Sequence, residues 1–503
     1  MINLKKHLNL IFLSLVYFIS RLPMLGNDIV NVDAPAWNYR AVQFWAYLKN
    51  YNFLETYRTY HPGVTLMWLS GFGQEIYSVF YKLKYGIRPV YFNVSNFRWI
   101  LFSETLPLVL FNFAFIILLY KLIEKLFNQK IAFYSVLILL LEPFFIGNTR
   151  VLHLDGMLSL LGINSVLFFI KYQKSKRTKD AIFSGILFGL AVLTKVSSLT
   201  LFPTIAIISL LFGNILSLVI YAVAGLTAFL ILFPACWVDP IRVITKIIYD
   251  GVIKTGQGGQ PQIFFGQESL NPGILFYPTQ FIFRASPVLI ILLTVALYLI
   301  FSNYKVVLKG LKSSKTMTIL GVSIYTLVYF VFMTVSTKKI DRYLIPLFPP
   351  LAIFAGYALS KVVPRKQFFV AVVLVVVSAV QILPLFPDFF AYFNPLVGGS
   401  HMAVNAVGLQ DWATGYMRVT NYLNKKPGVE NITLATYNDA SVRPTFLGIV
   451  VSIDSVTDFS EVDYVVVQRD DARSPLILKS MSLDRVFYIG SYDYYYLYKN
   501  IQL

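Results

Sequence analysis

Apolar residues recur along the chain in blocks close to twenty residues long, separated by short polar or cationic connectors, as far as residue 386. The blocks fall near 8–26, 99–120, 131–147, 154–170, 181–195, 197–212, 215–235, 285–302, 316–336, 343–361 and 367–386. A helix needs about 20 apolar residues to cross a bilayer, so the pattern predicts about eleven spans, some of them short. A further block, 63–80, is interrupted by Gly63, Gly71, Gly73, Gln74 and Glu75. It reads as a helix lying in the outer interface with Trp68 and Tyr77 at headgroup level. After residue 386 the apolar runs shorten and charges return. Residues 411–423 have helical spacing, with Trp412, Tyr416, Val419, Tyr422 and Leu423 on one side. Segments 432–437, 464–467 and 486–498 read as strands from their β-branched and aromatic content. The expected architecture is an α-helical polytopic membrane domain over 1–386 and a small α/β domain over 387–503, a length sufficient for such a unit.

Composition supports the membrane reading. Of 503 residues, 57% are hydrophobic and 14% charged, against about 25% charged in soluble domains. Lys and Arg outnumber acids 43 to 25, a net charge of +18. In a soluble chain this would raise nucleic-acid binding. Here cationic loops on the cytoplasmic side account for it, and no nucleic-acid partner is expected. If 63–80 does not cross, Lys5 and Lys6, Lys121, Lys125 and Lys130, Lys171 to Lys179, Lys305 to Lys315, and Lys361, Arg365 and Lys366 all face the cytoplasm. If it does cross, every later loop flips. The non-crossing choice leaves Lys82, Lys84, Arg88 and Arg98 outside. The outer segments are then 27–98, 148–153, 236–284, 337–342 and everything after about 387. This is a multi-pass protein of the cytoplasmic membrane with its polar residues facing outward. The single cysteine, Cys236, excludes an intramolecular disulfide. Lys5-Lys6 and the apolar run to Leu25 look like a signal peptide, but Arg21-Leu22-Pro23 follows instead of a small-residue cleavage site, so a retained first span is expected.

Candidate chemistry gathers in the outer segments. The first loop holds Asp33, Arg40, Arg58 and His61 among aromatics just beyond a span, a composition suited to work on a charged lipid headgroup. Asp33 is the candidate base; as a purely structural residue it would cap the following helix. Arg150, His153 and Asp155 form a second site, where a carboxylate at membrane depth needs a partner. Arg150 and His153 are the natural ones. Lys195 lies in a polar break between apolar runs and needs an anion, unless it snorkels to the surface. Lys338, Lys339 and Arg342 oppose the inside-positive bias, which points to an anionic partner. Arg342 can grip phosphate oxygens through two parallel hydrogen bonds, unless it pairs internally with Asp341. Gly256-Gln257-Gly258-Gly259-Gln260-Pro261 lacks the context of a phosphate loop, and no spacing suggests a metal site.

These stretches resemble the membrane-embedded C-fold glycosyltransferases, in particular the bacterial and archaeal branch of glycosyltransferase family 39. That branch holds relatives of the protein O-mannosyltransferases and of the lipid A aminoarabinose transferase. The resemblance rests on Asp33 with Ala34-Pro35-Ala36-Trp37, Tyr60-His61-Pro62-Gly63, Phe97-Arg98 with Ser103, Arg150 to Asp155, Leu193-Thr194-Lys195, Asp341-Arg342-Tyr343-Leu344-Ile345-Pro346, and Tyr392 to Gly399. They cover nearly the whole membrane part in order. The resemblance implies the C-fold and an inverting transfer of a sugar from a polyprenyl-phosphate donor on the outer face, with Asp33 as base. Asp155 matches the family's second-loop acid, Arg98 its arginine at the entry of the second span, and His61-Pro62 its His-Pro-Pro-like motif. Many members carry Asp-Glu where this chain has Asp33-Ala34.

On this reading the protein is a hexosyl- or pentosyltransferase acting on a protein, lipid or glycan acceptor hydroxyl. Asp33 and Asp155 are the catalytic candidates. Arg58, His61, Arg98, Lys195, Arg342 and Tyr343 are the candidates for the lipid phosphate, with Arg40, Arg150 and His153 nearby. Cations can neutralise a leaving phosphate, so no cofactor is required, although a divalent cation is compatible with the acids. The alternatives are a transporter or flippase for lipid-linked sugars, or a non-catalytic assembly subunit. A transporter predicts mid-span charges and inverted repeats, which the sequence lacks. The topology has a direct test. A cysteine at Ser175, introduced in a Cys236→Ser background, should resist membrane-impermeant maleimide in intact cells and react after lysis; labelling from outside would reverse the assignment.

Overall fold

The computed structural model describes residues 2–28, 30–90, 93–212, 215–302, 314–363, 366–409, 412–469 and 480–501. Lys305, Lys309, Lys312, Arg365 and Asp411, used above in the charge and helix readings, lie outside them. Every apolar block becomes helix. The first ten helices are α1 (Ile2–Arg21), α2 (Ala34–Lys49), α3 (Val64–Tyr85), α4 (Val94–Leu126), α5 (Gln129–Leu141), α6 (Pro143–Thr149), α7 (Asp155–Ser175), α8 (Thr178–Thr194), α9 (Leu201–Leu211) and α10 (Ile215–Leu232). Residues Ile131–Leu141 are all buried, which makes α5 the central helix of the membrane part. The later apolar helices are Pro287–Ser302, Ser314–Val335, Phe348–Val362 and Gln367–Ile382.

The eleven expected spans are less uniform than their sequence suggests. Among the described residues, five helices are long and apolar enough to cross a membrane, or up to seven if two bent pairs each count as one. The pair α5 and α6 bends by 78°, and Phe276–Arg284 with Pro287–Ser302 by 119°. Pro143 and Pro287 open the second member of each pair. A proline removes a backbone donor and clashes with the turn before it, which favours a break at these positions, although α4 runs through Pro107. The expected interfacial helix is α3. It is long but not among the helices apolar enough to span. Phe72, Ile76, Val79, Phe80 and Leu83 form an exposed apolar stripe along it, as in a helix lying on acyl chains. Trp68 instead turns inward and donates to the Leu232 carbonyl at 2.9 Å.

After residue 386 a second core forms. A five-stranded sheet has the order β4-β3-β5-β7-β6, built from β3 (Thr433–Thr436), β4 (Ile449–Ser452), β5 (Tyr464–Gln468), β6 (Met481–Ile489) and β7 (Tyr492–Asn500); β1 (Gln262–Phe264) and β2 (Gln267–Ser269) form a separate hairpin within 236–284. β3 pairs in parallel with β4 and β5, and β7 antiparallel with β5 and β6. The segment 486–498, read as one strand, is two strands of a hairpin that turns at Gly490. Gly490 has φ +61°, a left-handed conformation that glycine adopts at no steric cost. The expected helix is Tyr416–Leu423, and it buries Tyr416, Val419 and Leu423. The core beneath it also takes in Phe283 and Phe393 from outside the sheet.

One membrane contact depends on residues without side chains. A Cβ at Gly185 would lie 2.4 Å from the Tyr221 carbonyl oxygen, and one at Gly189 2.4 Å from the Gly225 carbonyl oxygen. α8 and α10 therefore approach through a small-residue seam, the packing that membrane helices use in place of a hydrophobic driving force. Gly185→Leu should lower stability by about 1–3 kcal/mol through overpacking. A clearly lower thermal midpoint of the detergent-solubilised protein would register it, whereas Ile182→Leu on the exposed face of α8 should leave the midpoint unchanged.

Candidate active site

Four separate stretches deliver charged side chains to one point. Asp33 precedes α2, whose start is set by Pro35 in its first turn. It occupies the N-cap position but makes no side-chain cap hydrogen bond. Its carboxylate turns away: Oδ2 accepts from Arg342 Nη1 at 2.9 Å and lies 3.3 Å from His153 Nε2. The capping explanation therefore does not account for Asp33. The Asp33 backbone N–H donates to Asn31 Oδ1 at 3.1 Å, and Asn31 Nδ2 donates to the Leu152 carbonyl at 3.4 Å. Asn31 thus ties the first loop to the second.

Asp155 opens α7, where the positive end of the helix dipole favours a carboxylate. Lys195 closes α8 in extended conformation, which breaks the helix and turns the side chain inward. Its Nζ donates to Asp155 Oδ1 at 2.6 Å. Lys195 is 3% exposed, so it does not snorkel. His153 Nδ1 accepts from the Asp155 backbone N–H at 3.3 Å and lies 3.2 Å from Asp155 Oδ2. The imidazole thus lies between the two acids. Arg342 Nε faces Asp155 Oδ2 at 3.7 Å and has no hydrogen-bond partner among the described residues. Side-chain exposure separates the acids: 37% for Asp33 and 1% for Asp155. Only Asp33 is open to a second molecule. Burial alone would raise the Asp33 carboxyl, but the His153 hydrogen bond and the charges of Arg342 and Lys195 outweigh it and hold the group well below the usual carboxylate range.

Behind the acids lies a cavity of about 340 Å³. Lys195, Tyr343, His61 and Lys338 line its polar end, and Val196, Leu199, Phe332 and Met333 its apolar walls. The Tyr343 ring supports Lys195 at 4.2 Å. His61 is positioned by Gly63, whose N–H donates to the Thr194 carbonyl at 3.2 Å. Gly63 has φ +59°, and a Cβ there would fall 2.2 Å from the Trp37 ring. No other residue fits that turn. Loss of water and the nearby Lys195 charge push His61 well below its ordinary value, so its imidazole is neutral at pH 7.

Other candidates go elsewhere. Arg150 is not a partner of Asp155. It pairs with Asp28 at 2.6 Å and donates to the Pro23 carbonyl at 2.7 Å, because the chain leaving α6 points it back toward the end of α1. Asp341 does not hold the Arg342 side chain. It pairs with Arg284 at 2.7 Å, and Arg284 also donates to the carbonyls of Phe390 and Tyr392. Arg58 stacks over Tyr47 at 5.3 Å and donates to Gln43, away from the acids. Arg40 stacks over Trp37 at 4.7 Å; it contributes charge near Asp33 but no contact. Arg98 is exposed and lines a different cavity.

The sequence reading missed Trp412 as a site residue. It was placed on the face of the following helix, but lies before that helix and points the other way. The Arg342 guanidinium lies 3.8 Å over its ring, the His153 ring meets it edge-on at 5.2 Å, and Phe390 stacks on it at 5.2 Å. Asn31 was the other omission. Neither carries a charge, so charge patterning could not find them. Among the described residues no group of three or more His, Cys, Asp or Glu is arranged to hold a metal ion.

Residues 99–237 match the family model of dolichyl-phosphate-mannose-protein mannosyltransferases. That stretch contains Arg150 to Asp155 and Lys195. A search of curated proteins gives no match. Among solved structures the chain is similar to ArnT from Cupriavidus metallidurans bound to undecaprenyl phosphate, with 15% identity over 98% of this chain and 97% of that one and a TM-score of 0.51. The apo form of the same protein gives equal values. The oligosaccharyltransferase AglB from Archaeoglobus fulgidus is also similar, with 12% identity over 92% of this chain and 69% of that one and a TM-score of 0.47. The fold is that of the C-fold membrane glycosyltransferases, in agreement with the motif resemblance.

The Arg150–Asp28 pair is buried on both sides, at 0% and 4% side-chain exposure. Arg150→Met should cost about 3–5 kcal/mol by removing the cation that faces the buried Asp28 carboxylate. Adding Asp28→Asn should recover much of that loss. Thermal unfolding of the two variants checks it, and equal midpoints for single and double variants would show that the pair is not the cause.

Proposed function

We propose that this protein is an inverting glycosyltransferase that moves a sugar from a polyprenyl-phosphate donor to an acceptor hydroxyl on the outer face of the membrane. The observation that carries this reading is one half-exposed carboxylate, Asp33, linked through Arg342 and Asp155 to Lys195, which lines a cavity with apolar walls. The cavity's polar end suits a phosphate and its walls the first isoprene units of a lipid tail. In the reaction the acceptor oxygen attacks the anomeric carbon, and its proton passes to Asp33. The bond from that carbon to the phosphate oxygen breaks, and polyprenyl phosphate leaves with the electron pair. Lys195 and Arg342 stabilise the charge on the leaving oxygen, as preorganised cations do in a site with little water. They supply this charge themselves, so the proposal needs no metal.

Asp33 held by Arg342 is ionised but weakly basic. An arriving phosphate competes for the guanidinium, including the unpartnered Nε. As Arg342 turns to the phosphate, Asp33 loses a cation and becomes a stronger base. Donor binding would thus prepare the base for the acceptor. Asp155 is too enclosed to meet the acceptor; its role is to fix Lys195 and His153.

Asp33→Asn should lower turnover by about 10²–10⁴-fold, the usual contribution of a general base, with donor affinity largely kept. Arg342→Lys should weaken donor binding roughly 10- to 100-fold, since it removes the planar fork and a charge-assisted hydrogen bond. Both are read in one assay with purified protein and a panel of polyprenyl-phosphate sugars. Because Asp33 must be unprotonated and its carboxyl is held low, kcat/KM of the parent enzyme should stay flat as pH falls to about 4. Near-normal turnover of Asp33→Asn would remove the base and with it this function.

A further inference from the structure

Two cavities outside the acid cluster meet where the membrane part joins the C-terminal domain. The first, about 470 Å³, lies between the loop after α1, the start of α4, and the helix Tyr416–Leu423 with its following turn. The second, about 390 Å³, lies between that helix and the edge strand β6. Asn421 and Lys425 line both, so the two adjoin and are treated together as one groove. Its cations are Arg98, Lys425, Arg418 and Arg485. Arg418 is spent on Asp388 at 2.6 Å, and Asp28 in the groove wall is spent on Arg150. Arg98, Lys425 and Arg485 have no carboxylate partner among the described residues. Arg485 instead lies over the rings of Tyr422 and Phe487, at 4.6 and 5.5 Å. Tyr488 is exposed beside them at 56%.

We infer that this groove binds an anionic glycan, a sugar chain bearing carboxylate or phosphate groups, as the acceptor of the proposed transfer. The inference rests on the transferase reading and deepens it. The exposed ring of Tyr488 and the side-chain amides of Asn421 and Asn424 are groups of the kind that hold sugar rings and hydroxyls. Three exposed cations without a carboxylate partner make the groove electropositive, which attracts an anion most strongly at low salt. The groove lies near the proposed base: Val30 of its wall precedes Asp33 by three residues, about 10 Å of chain at most. A chain lying in the groove would present its end to the base. Anionic lipid headgroups share the charge but need neither the rings nor the amides, and Arg485 and Tyr488 stand on the sheet rather than on a membrane helix.

The test uses the full-length protein in nanodiscs of zwitterionic lipid. The probe is a fluorescent oligogalacturonate, and the comparison is its fully methyl-esterified, neutral form of equal length. The acid form should bind at least tenfold more tightly, and less tightly as salt rises. The double variant Lys425→Glu, Arg485→Glu should lose at least tenfold in that binding. Both residues are exposed and remote from the acids, so its thermal midpoint and its binding of undecaprenyl phosphate should match the parent. Equal binding of charged and neutral probes, no binding, or undiminished binding by the double variant would overturn the inference. So would a charge-dependent preference for phosphatidylglycerol nanodiscs without binding of the glycan, which would assign the cations to headgroups. Asp33→Asn protein should bind the probe normally. An inactive base variant that binds the glycan, and an active enzyme that does not, therefore separate failure of this inference from failure of the transfer reaction.

Discussion

A carboxylate buried at 1% exposure, Asp155, sets the terms for the centre of this protein. An isolated charge removed from water costs many kcal/mol, so it must be met by cations and hydrogen bonds or lose its charge. Lys195 meets one oxygen and His153 approaches the other. Those two contacts bring together the end of α8 and the loop before α7. Arg342 and Asp33 then complete an alternating set of charges that draws in the first loop and the segment 341–343. No member can be moved without leaving another uncompensated.

Arginines at this centre fall into two kinds. Arg150 and Arg284 are fully enclosed, each paired with one carboxylate and with backbone carbonyls. They fasten loops in place, and their hydrogen-bonding capacity is directed inward. Arg342 is less enclosed, at 13% side-chain exposure: it rests on the face of Trp412 and donates to the half-exposed carboxylate of Asp33. A flat ring beneath a guanidinium restrains its plane while leaving its edge free. That edge is what a phosphate would use. Trp412 comes from the segment leading into the C-terminal domain, so that domain forms part of the wall of the site.

The same contrast explains how one centre can hold two acids with different duties. Asp155 gives up solvent to organise cations, whereas Asp33 keeps enough solvent contact to meet a reactant. The cavity beside Lys195 has apolar walls, whereas the surface between the start of α4 and the helix Tyr416–Leu423 is lined by cations and amides.

The helical membrane architecture was legible from the chain because a bilayer selects for apolar length, and length is written directly in the residues. The break in 63–80 marked α3 as unlike the spans, for the same reason. Asp33, His153, Asp155, Lys195 and Arg342 stood out because a charge among apolar residues needs an explanation wherever it occurs. Local pattern could not decide which charges meet. Arg150 lies close to Asp155 in sequence and pairs with Asp28 instead, and Arg342 adjoins Asp341 yet reaches Asp33 from 309 positions away. Partner choice depends on directions set by helix ends and on long-range packing, which neighbouring residues do not encode. The bends at Pro143 and Pro287, the hairpin at Gly490 and the inward turn of Trp412 follow from backbone geometry that hydrophobic periodicity does not report. The sequence by itself determined the solvent each segment requires and the kind of chemistry its charges permit. Only the tertiary structure decided which carboxylate is open, which cation is free, and where they face one another.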